Sequence, residues 1–251
     1  MNPDKIPFDQ EHYQVITRVR EEFLRHCFSE IPFRNEMKSA LDVGCGGGHF
    51  TGVMHGLGLQ VTGVDLREEN LELCRARYPD CLFQQVNLDS EFDNLDTYDL
   101  VLMFGVLYHL QSPLQTIWRL AKSVGRLAII STRVAAGTDM SMYLFREKEG
   151  MAHNATPVVA VPTFPAFLAL FAQVGFDYIY LPDVQPKHPQ WSEERSHGKR
   201  VSFLAAREPM SVATWRRIEP PSVLEKWEQA SGLKQRSILA RLARVFSLGQ
   251  L

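Results

Sequence analysis

The sequence predicts an α/β fold: a doubly wound sheet of seven strands, mostly parallel with an antiparallel last strand, and helices on both faces. Three observations carry this. Short apolar runs alternate with helical stretches from residue 39 to residue 131, and such alternation builds parallel sheets with right-handed crossovers. The first apolar run ends in a glycine-rich string, Gly44-Cys45-Gly46-Gly47-Gly48, that opens a helix. Two more apolar runs, at 178–181 and 200–206, follow a long irregular stretch and complete the count.

Element by element, residues 8–30 read as a helix. Phe8, Tyr13, Val15, Ile16, Val19, Phe23 and Leu24 recur there at near-helical spacing, and Ile31-Pro32 ends it. Residues 39–43 form the first strand, 49–57 a helix, 59–64 the second strand, 68–77 a helix and 82–87 the third strand. Residues 100–104 are apolar throughout, as a strand buried on both faces requires. Pro113 sits at a tolerated first-turn position of helix 113–123, and strand 126–131 follows. Residues 132–162 then lose periodicity, and a stretch that long is usually functional or disordered. Helix 165–174 stops at Gly175, and the last two strands flank a loop at 182–199 rich in polar and aromatic residues.

The domain reading is an N-terminal helical segment, 1–37, a main domain, 38–207, with an insertion at 132–162, and a C-terminal helical appendage, 208–251. Within the appendage, 234–246 gathers Ile238, Leu239, Leu242, Val245 and Phe246 on one helical face. Such a face packs on its own domain or on a second subunit, so a homodimer through the terminal helices is open.

The 251 residues suit one α/β domain with additions, and 45% of them are hydrophobic, enough for a full core. A net charge of −2 gives no compositional reason to expect a nucleic-acid partner. Cys27, Cys45, Cys74 and Cys81 include no CxxC pair and no zinc-site spacing, so no metal is expected and a reducing, cytoplasmic setting fits. The first ten residues are polar with two prolines, unlike a signal peptide, and no apolar run approaches the ~20 residues of a membrane span.

The glycine string lets the backbone turn sharply and approach a ligand without Cβ clashes. Its GxGxG spacing, with Asp42 two residues ahead, differs from the GxGxxG of a pyrophosphate site. An acid there suits a ligand bearing an ammonium and a sulfonium. Asp65 ends the second strand, where a carboxylate accepts ribose hydroxyls; Leu66 beside it is placed to cover an adenine face, and Asn87 to meet the adenine edge. All lie at carboxyl ends of strands, where open α/β sheets bind ligands.

These residues resemble class I, Rossmann-like, S-adenosylmethionine-dependent methyltransferases. LDVGCGGGHF is similar to the family's first motif, GVDL to its second, and YDLVLMFGVLYHLQSP to its fourth-strand motif. The resemblance covers residues 38–207 and is strong to about residue 132. It implies S-adenosylmethionine as cofactor, with Gly44, Cys45 and Gly46 at its methionine part and Asp65 on its ribose. Asn87 and Leu88 would meet the adenine, and Phe104 and Gly105 the methionine end. Asn87 stands where the family often has Asp. GVLYHLQSPL with the later PTFPAFLALFAQVGF also resembles a subgroup related to the tRNA wobble-uridine modifying enzymes. Those use a carboxylated cofactor and transfer a carboxymethyl group.

On the acceptor side, an alcohol must lose a proton, and His109, with Tyr108 beside it, follows the fourth strand on the cofactor side. Capping the next helix is the structural alternative for His109. Arg133, Tyr143, Arg146 and His153 in the insertion and Trp191 in the later loop suit a lid over an organic, acidic acceptor. Three readings follow: a methyltransferase acting on a small organic acceptor such as a sugar or secondary metabolite, an RNA-modifying enzyme, and a non-catalytic cofactor-binding partner.

Overall fold

The computed structural model describes residues 11–90, 95–146, 158–193 and 198–219. Helix α1 (Glu11–Glu30) precedes β1 (Ser39–Val43), α2 (His49–Gly56), β2 (Gln60–Asp65), α3 (Glu68–Arg77), β3 (Leu82–Gln85) and β4 (Tyr98–Phe104). There follow α4 (Pro113–Ser123), β5 (Val124–Val134), β6 (Met142–Arg146), β7 (Val158–Pro162), α5 (Phe164–Gln173), β8 (Tyr178–Pro182), α6 (Pro189–Ser192), β9 (Lys199–Ala206) and β10 (Trp215–Ile218).

The main sheet runs β3-β2-β1-β4-β5-β9-β8-β10. The first five strands in that order are parallel, and β9 inserts antiparallel between β5 and β8. Strand order reverses between β1 and β4, so the loops leaving their carboxyl ends diverge and open a crevice.

Strand alternation divides the core in two. Leu41, Val43, Val101, Met103, Ala128, Ile130 and Phe203 pack with Ile117 and Leu120 of α4 and Phe167 and Phe171 of α5. Their neighbours Ala40, Leu100, Leu102, Leu127, Ile129 and Leu204 pack with Phe23 and Leu24 of α1 and Val53 and Met54 of α2. Both faces of β4 and β5 are therefore covered, which is why they read as continuous apolar runs. Each fully buried large side chain contributes about 1.5–3 kcal/mol.

The sheet has eight strands where the sequence predicts seven. The eighth, β10, pairs antiparallel with β8 at the edge. Only Trp215 of its four residues is buried, while Arg216 and Arg217 are exposed. Four residues with two charges give no alternating signal, and charge is what an edge strand carries against unwanted pairing.

The stretch at 132–162 also holds more order than its sequence suggests. β5 runs on to Val134, and β6 and β7 pair antiparallel from Met142↔Pro162 to Arg146↔Val158. β6 escapes detection because its side chains are exposed on both faces, with Leu144 72% exposed. Val159 and Val161 of β7 are buried against Tyr108 and Ala135.

The chain divides into Met1–Glu219 and Pro220–Leu251. The second unit, with the helix expected at 234–246, lies outside the described residues. Among those described, no helix is long and apolar enough to cross a membrane.

Phe203 is fully buried on β9, edge-on to Phe171 at 5.3 Å and near Phe164 at 5.7 Å. Phe203→Ala is expected to destabilise the domain by about 3–5 kcal/mol, read as a drop in urea midpoint. A loss below about 1 kcal/mol would contradict this packing.

Candidate active site

β1 ends at Val43, and the chain turns at once. The amides of Gly44 and Cys45 both donate to the Val64 carbonyl of β2, at 2.8 and 2.9 Å. Gly44 has φ +71°, and a Cβ there would lie 2.9 Å from Cγ2 of Val106, so only glycine fits. Gly46 (φ +53°) donates its amide to Oδ2 of Asp65 at 2.9 Å. Oδ1 of Asp65 accepts from the Arg67 amide and from Nδ2 of Asn70, both at 3.0 Å. One carboxylate thus ties the glycine loop to the start of α3, and Asp65 stays half-buried. Leu66 beside it is 38% exposed. The loop's close backbone, the carboxylate at the strand end and the exposed leucine fit a nucleoside with an amino-acid tail.

Asp42 lies beneath the loop, 2% exposed, and accepts the Thr51 hydroxyl at 2.7 Å. Burial raises its pKa to about 7, with Asp65 adding and the Thr51 bond opposing. Its structural partner is thus α2. Cys45 is buried with Leu71 and Cys74; its hydrogen bond with Cys74 and its burial hold the thiol protonated. Oδ1 of Asn87 accepts the Asp89 amide at 3.1 Å, a local turn. Leu88 faces the core, and its carbonyl accepts from Thr116 of α4 at 3.0 Å. Phe104 packs inward, edge-on to Phe50 at 5.0 Å, while the Gly105 amide donates to Ser131 at 2.8 Å.

Leu107–His109 form a single 3-10 turn after β4. Tyr108 is buried, and the half-buried His109 ring lies 4.1 Å from it, centroid to centroid. Nη2 of Arg200 on β9 donates to the Tyr108 hydroxyl at 2.5 Å. The Arg200 and Arg133 guanidiniums stand 4.8 and 5.3 Å from the Tyr108 ring centre. Arg20 of α1 bonds the same phenol, and its Nη1 would be 3.1 Å from a Cβ at Gly105. Burial opposes ionisation of Tyr108, but Arg200, His109, Arg20 and Arg133 outweigh it and bring its pKa to about 6. Burial, reinforced by Arg200, lowers Arg20 to about 9.

Trp191 joins the cluster from the later loop. It is buried, its Nε1 donates to Ser202 at 2.9 Å, and Arg200 stands 5.7 Å from its ring centre. The adjacent Gln190 accepts from Nε of Arg200. Gln185 exchanges two hydrogen bonds with the Ser202 backbone, at 2.9 and 3.0 Å, pinning this loop to β9. Tyr143 and Arg146 are exposed on β6, and His153 lies outside the described residues.

The sequence points to Tyr108, Arg133 and Trp191 but to neither Arg20 nor Arg200. Arg200 carried a signal, since it shares its strand phase with the buried Ser202 and Leu204. Arg20 carried none: it is one of many charged residues on a 20-residue helix.

The sequence model of a family described as a methyltransferase domain matches residues 9–181. The chain belongs to this methyltransferase-domain family. Its fold is the Rossmann-like one. The solved N-terminal domain of EvdMO1 with SAH bound superposes with a TM-score of 0.65 at 18% identity, covering 79% of this chain and 85% of that one. The same domain was also solved in the presence of SAH and D-fucose, with a TM-score of 0.62 at 16% identity, over 81% of this chain and 100% of that one. A tRNA U34 carboxymethyltransferase of Pasteurella multocida (strain Pm70) is 29% identical over 63% of this chain and 53% of its own length. A ubiquinone biosynthesis O-methyltransferase of Vibrio cholerae is 37% identical over 35% of this chain and 38% of its own. The chain thus spans about half, or less, of the length of these curated relatives.

In this methyltransferase domain, Tyr108 should ionise as pH rises through about 6. Tyrosinate absorbance should therefore appear between pH 5 and 7 in the folded protein and vanish from that range in Tyr108→Phe, a window of about one unit either side of the midpoint. No titrating tyrosine below about pH 9 would contradict the arginine–phenol geometry.

Proposed function

We propose that the protein is an S-adenosylmethionine-dependent methyltransferase acting on a small organic acceptor, with O- or N-methyl transfer to a sugar or secondary metabolite. The observation that carries this is the glycine loop held by Asp65, with its exposed Leu66, beside a separate buried polar group at Tyr108. When bound, the cofactor supplies an electrophilic methyl group; the protein supplies alignment and proton handling. Gly44 and Gly46 bring the backbone close to the amino-acid end, and Asp65 accepts from the ribose. His109, half-buried beside Tyr108, receives the proton that an acceptor hydroxyl or ammonium releases. The sugar reading takes support from the EvdMO1 domain studied with D-fucose. The O-methyl reading takes support from the Vibrio cholerae relative.

Calorimetry with S-adenosylhomocysteine tests the cofactor site. Gly46→Val should abolish binding, because a β-branched residue does not adopt φ +53°. Asp65→Ala should weaken it by about 1–3 kcal/mol, the cost of a lost charge-assisted hydrogen bond. Unchanged affinity in both folded variants would refute the proposal.

His109→Ala should lower turnover by about 10²-fold or more while leaving cofactor affinity nearly intact. Radiolabelled methyl transfer to an accepted substrate is the readout. Wild-type turnover in the variant would leave catalysis to alignment alone.

A further inference from the structure

Three guanidiniums converge on one phenol, and their number exceeds what the described residues balance. Arg20 comes from α1, Arg133 from β5 and Arg200 from β9. Among the described residues no carboxylate pairs with any of them; Tyr108 is the one group that favours charge on both Arg20 and Arg200. A fully ionised phenolate would neutralise one positive charge of three. Arg200 is only 5% exposed. Its Nη1, and Nε of Arg20, are buried without a hydrogen-bond partner among the described residues. A buried donor left unpaired is costly, and more so when charged. Like charges gathered at low dielectric add to that cost. A fold that holds such a group from three distant segments has left room in its electrostatics for an acceptor that the described residues do not supply.

The place is as telling as the charge. The Arg20 guanidinium lies over Gly105, the residue that follows β4. Val106, next in sequence, contacts the glycine loop at Gly44. The cluster therefore borders the cofactor cleft where β1 and β4 diverge, on the other side of the loop from Asp65. Guanidiniums match planar carboxylates by paired, charge-assisted hydrogen bonds. The aromatic faces of Tyr108 and Trp191 already orient Arg200 from its flanks.

We propose that Arg20, Arg133 and Arg200, arranged around Tyr108, form a recognition site for a carboxylate carried by the acceptor, beside the position of methyl transfer. This rests on the methyltransferase reading and names its substrate class: an acidic organic acceptor whose carboxylate completes the partners of the buried guanidiniums.

The test is calorimetry of acetate binding to the protein saturated with S-adenosylhomocysteine, at constant ionic strength, with the neutral methyl acetate as control. Acetate should bind saturably and methyl acetate should not. Arg200→Met and Arg133→Met should each weaken acetate by about tenfold or more, the scale of one charged hydrogen bond, with S-adenosylhomocysteine affinity retained as the check on folding. If Arg200→Met fails to fold, Arg133→Met, at a half-buried position, carries the comparison. No saturable acetate binding, or binding unchanged in a folded variant, overturns the proposal. So does an ineffective acetate together with a carboxylated S-adenosylmethionine that outcompetes S-adenosylmethionine, which would put the carboxylate on the transferred group. Wild-type protein that binds acetate but not S-adenosylhomocysteine would instead sink the cofactor reading and leave the anion site standing.

Discussion

The site depends on how β1 leaves the sheet. Two successive amides, of Gly44 and Cys45, share the Val64 carbonyl, so the chain departs sideways over the end of β2 and does not continue as a strand. That turn places the next amide, of Gly46, against the Asp65 carboxylate. The same carboxylate holds the start of α3, and Asp42 holds α2 from below through Thr51. A loop of left-handed glycines is fixed by two acids at the ends of neighbouring parallel strands. Any side chain at Gly44 would collide with Val106, and this contact also fixes the segment that carries Tyr108 and His109. The glycine loop and the segment with Tyr108 and His109 meet at this contact.

How much of this the sequence discloses follows from what each residue's pattern is coupled to. The glycine loop, Asp65 and β4 are legible because their constraints are local: a turn with no room for Cβ, an acid at a strand end, a run buried on both faces. Tyr108 and Arg133 are legible as polar residues at the carboxyl ends of β4 and β5. Asn87 and Leu88 lie beyond β3, which ends at Gln85 and not at residue 87, and there Oδ1 of Asn87 is taken by a local turn and the Leu88 carbonyl by Thr116. Arg20 and Arg200 gain their meaning only by meeting 180 residues apart, across the sheet and α1, and no local pattern encodes that meeting. β10 and β6 were illegible for a related reason. An edge strand and an exposed hairpin face too little core to impose alternation.

Energetically, the two halves of the cleft differ. The loop's polar groups are largely satisfied within the protein, so the cofactor side is organised in advance and binding there costs little reordering. The arginine group is the opposite: charged, with Arg200 buried and Arg20 and Arg133 half-buried, and short of acceptors among the described residues. The apolar side of the hairpin, Val159 and Val161, packs on Tyr108 and shields it, which strengthens every charge interaction beneath it. Trp191 and Gln190 close the flank from the loop that Gln185 pins to β9. Stability and recognition thus draw on the same residues, and the burial that makes the guanidiniums expensive is what would make them selective.

The most direct measurement is a crystal structure with S-adenosylhomocysteine. The account predicts the ribose against Asp65, the adenine beside Leu66, and the homocysteine along Gly44–Gly46, with its sulfur directed toward Gly105 and the arginine–tyrosine group. Ligand density elsewhere, or a glycine loop with Asp65 making no contact to the ligand, would contradict it.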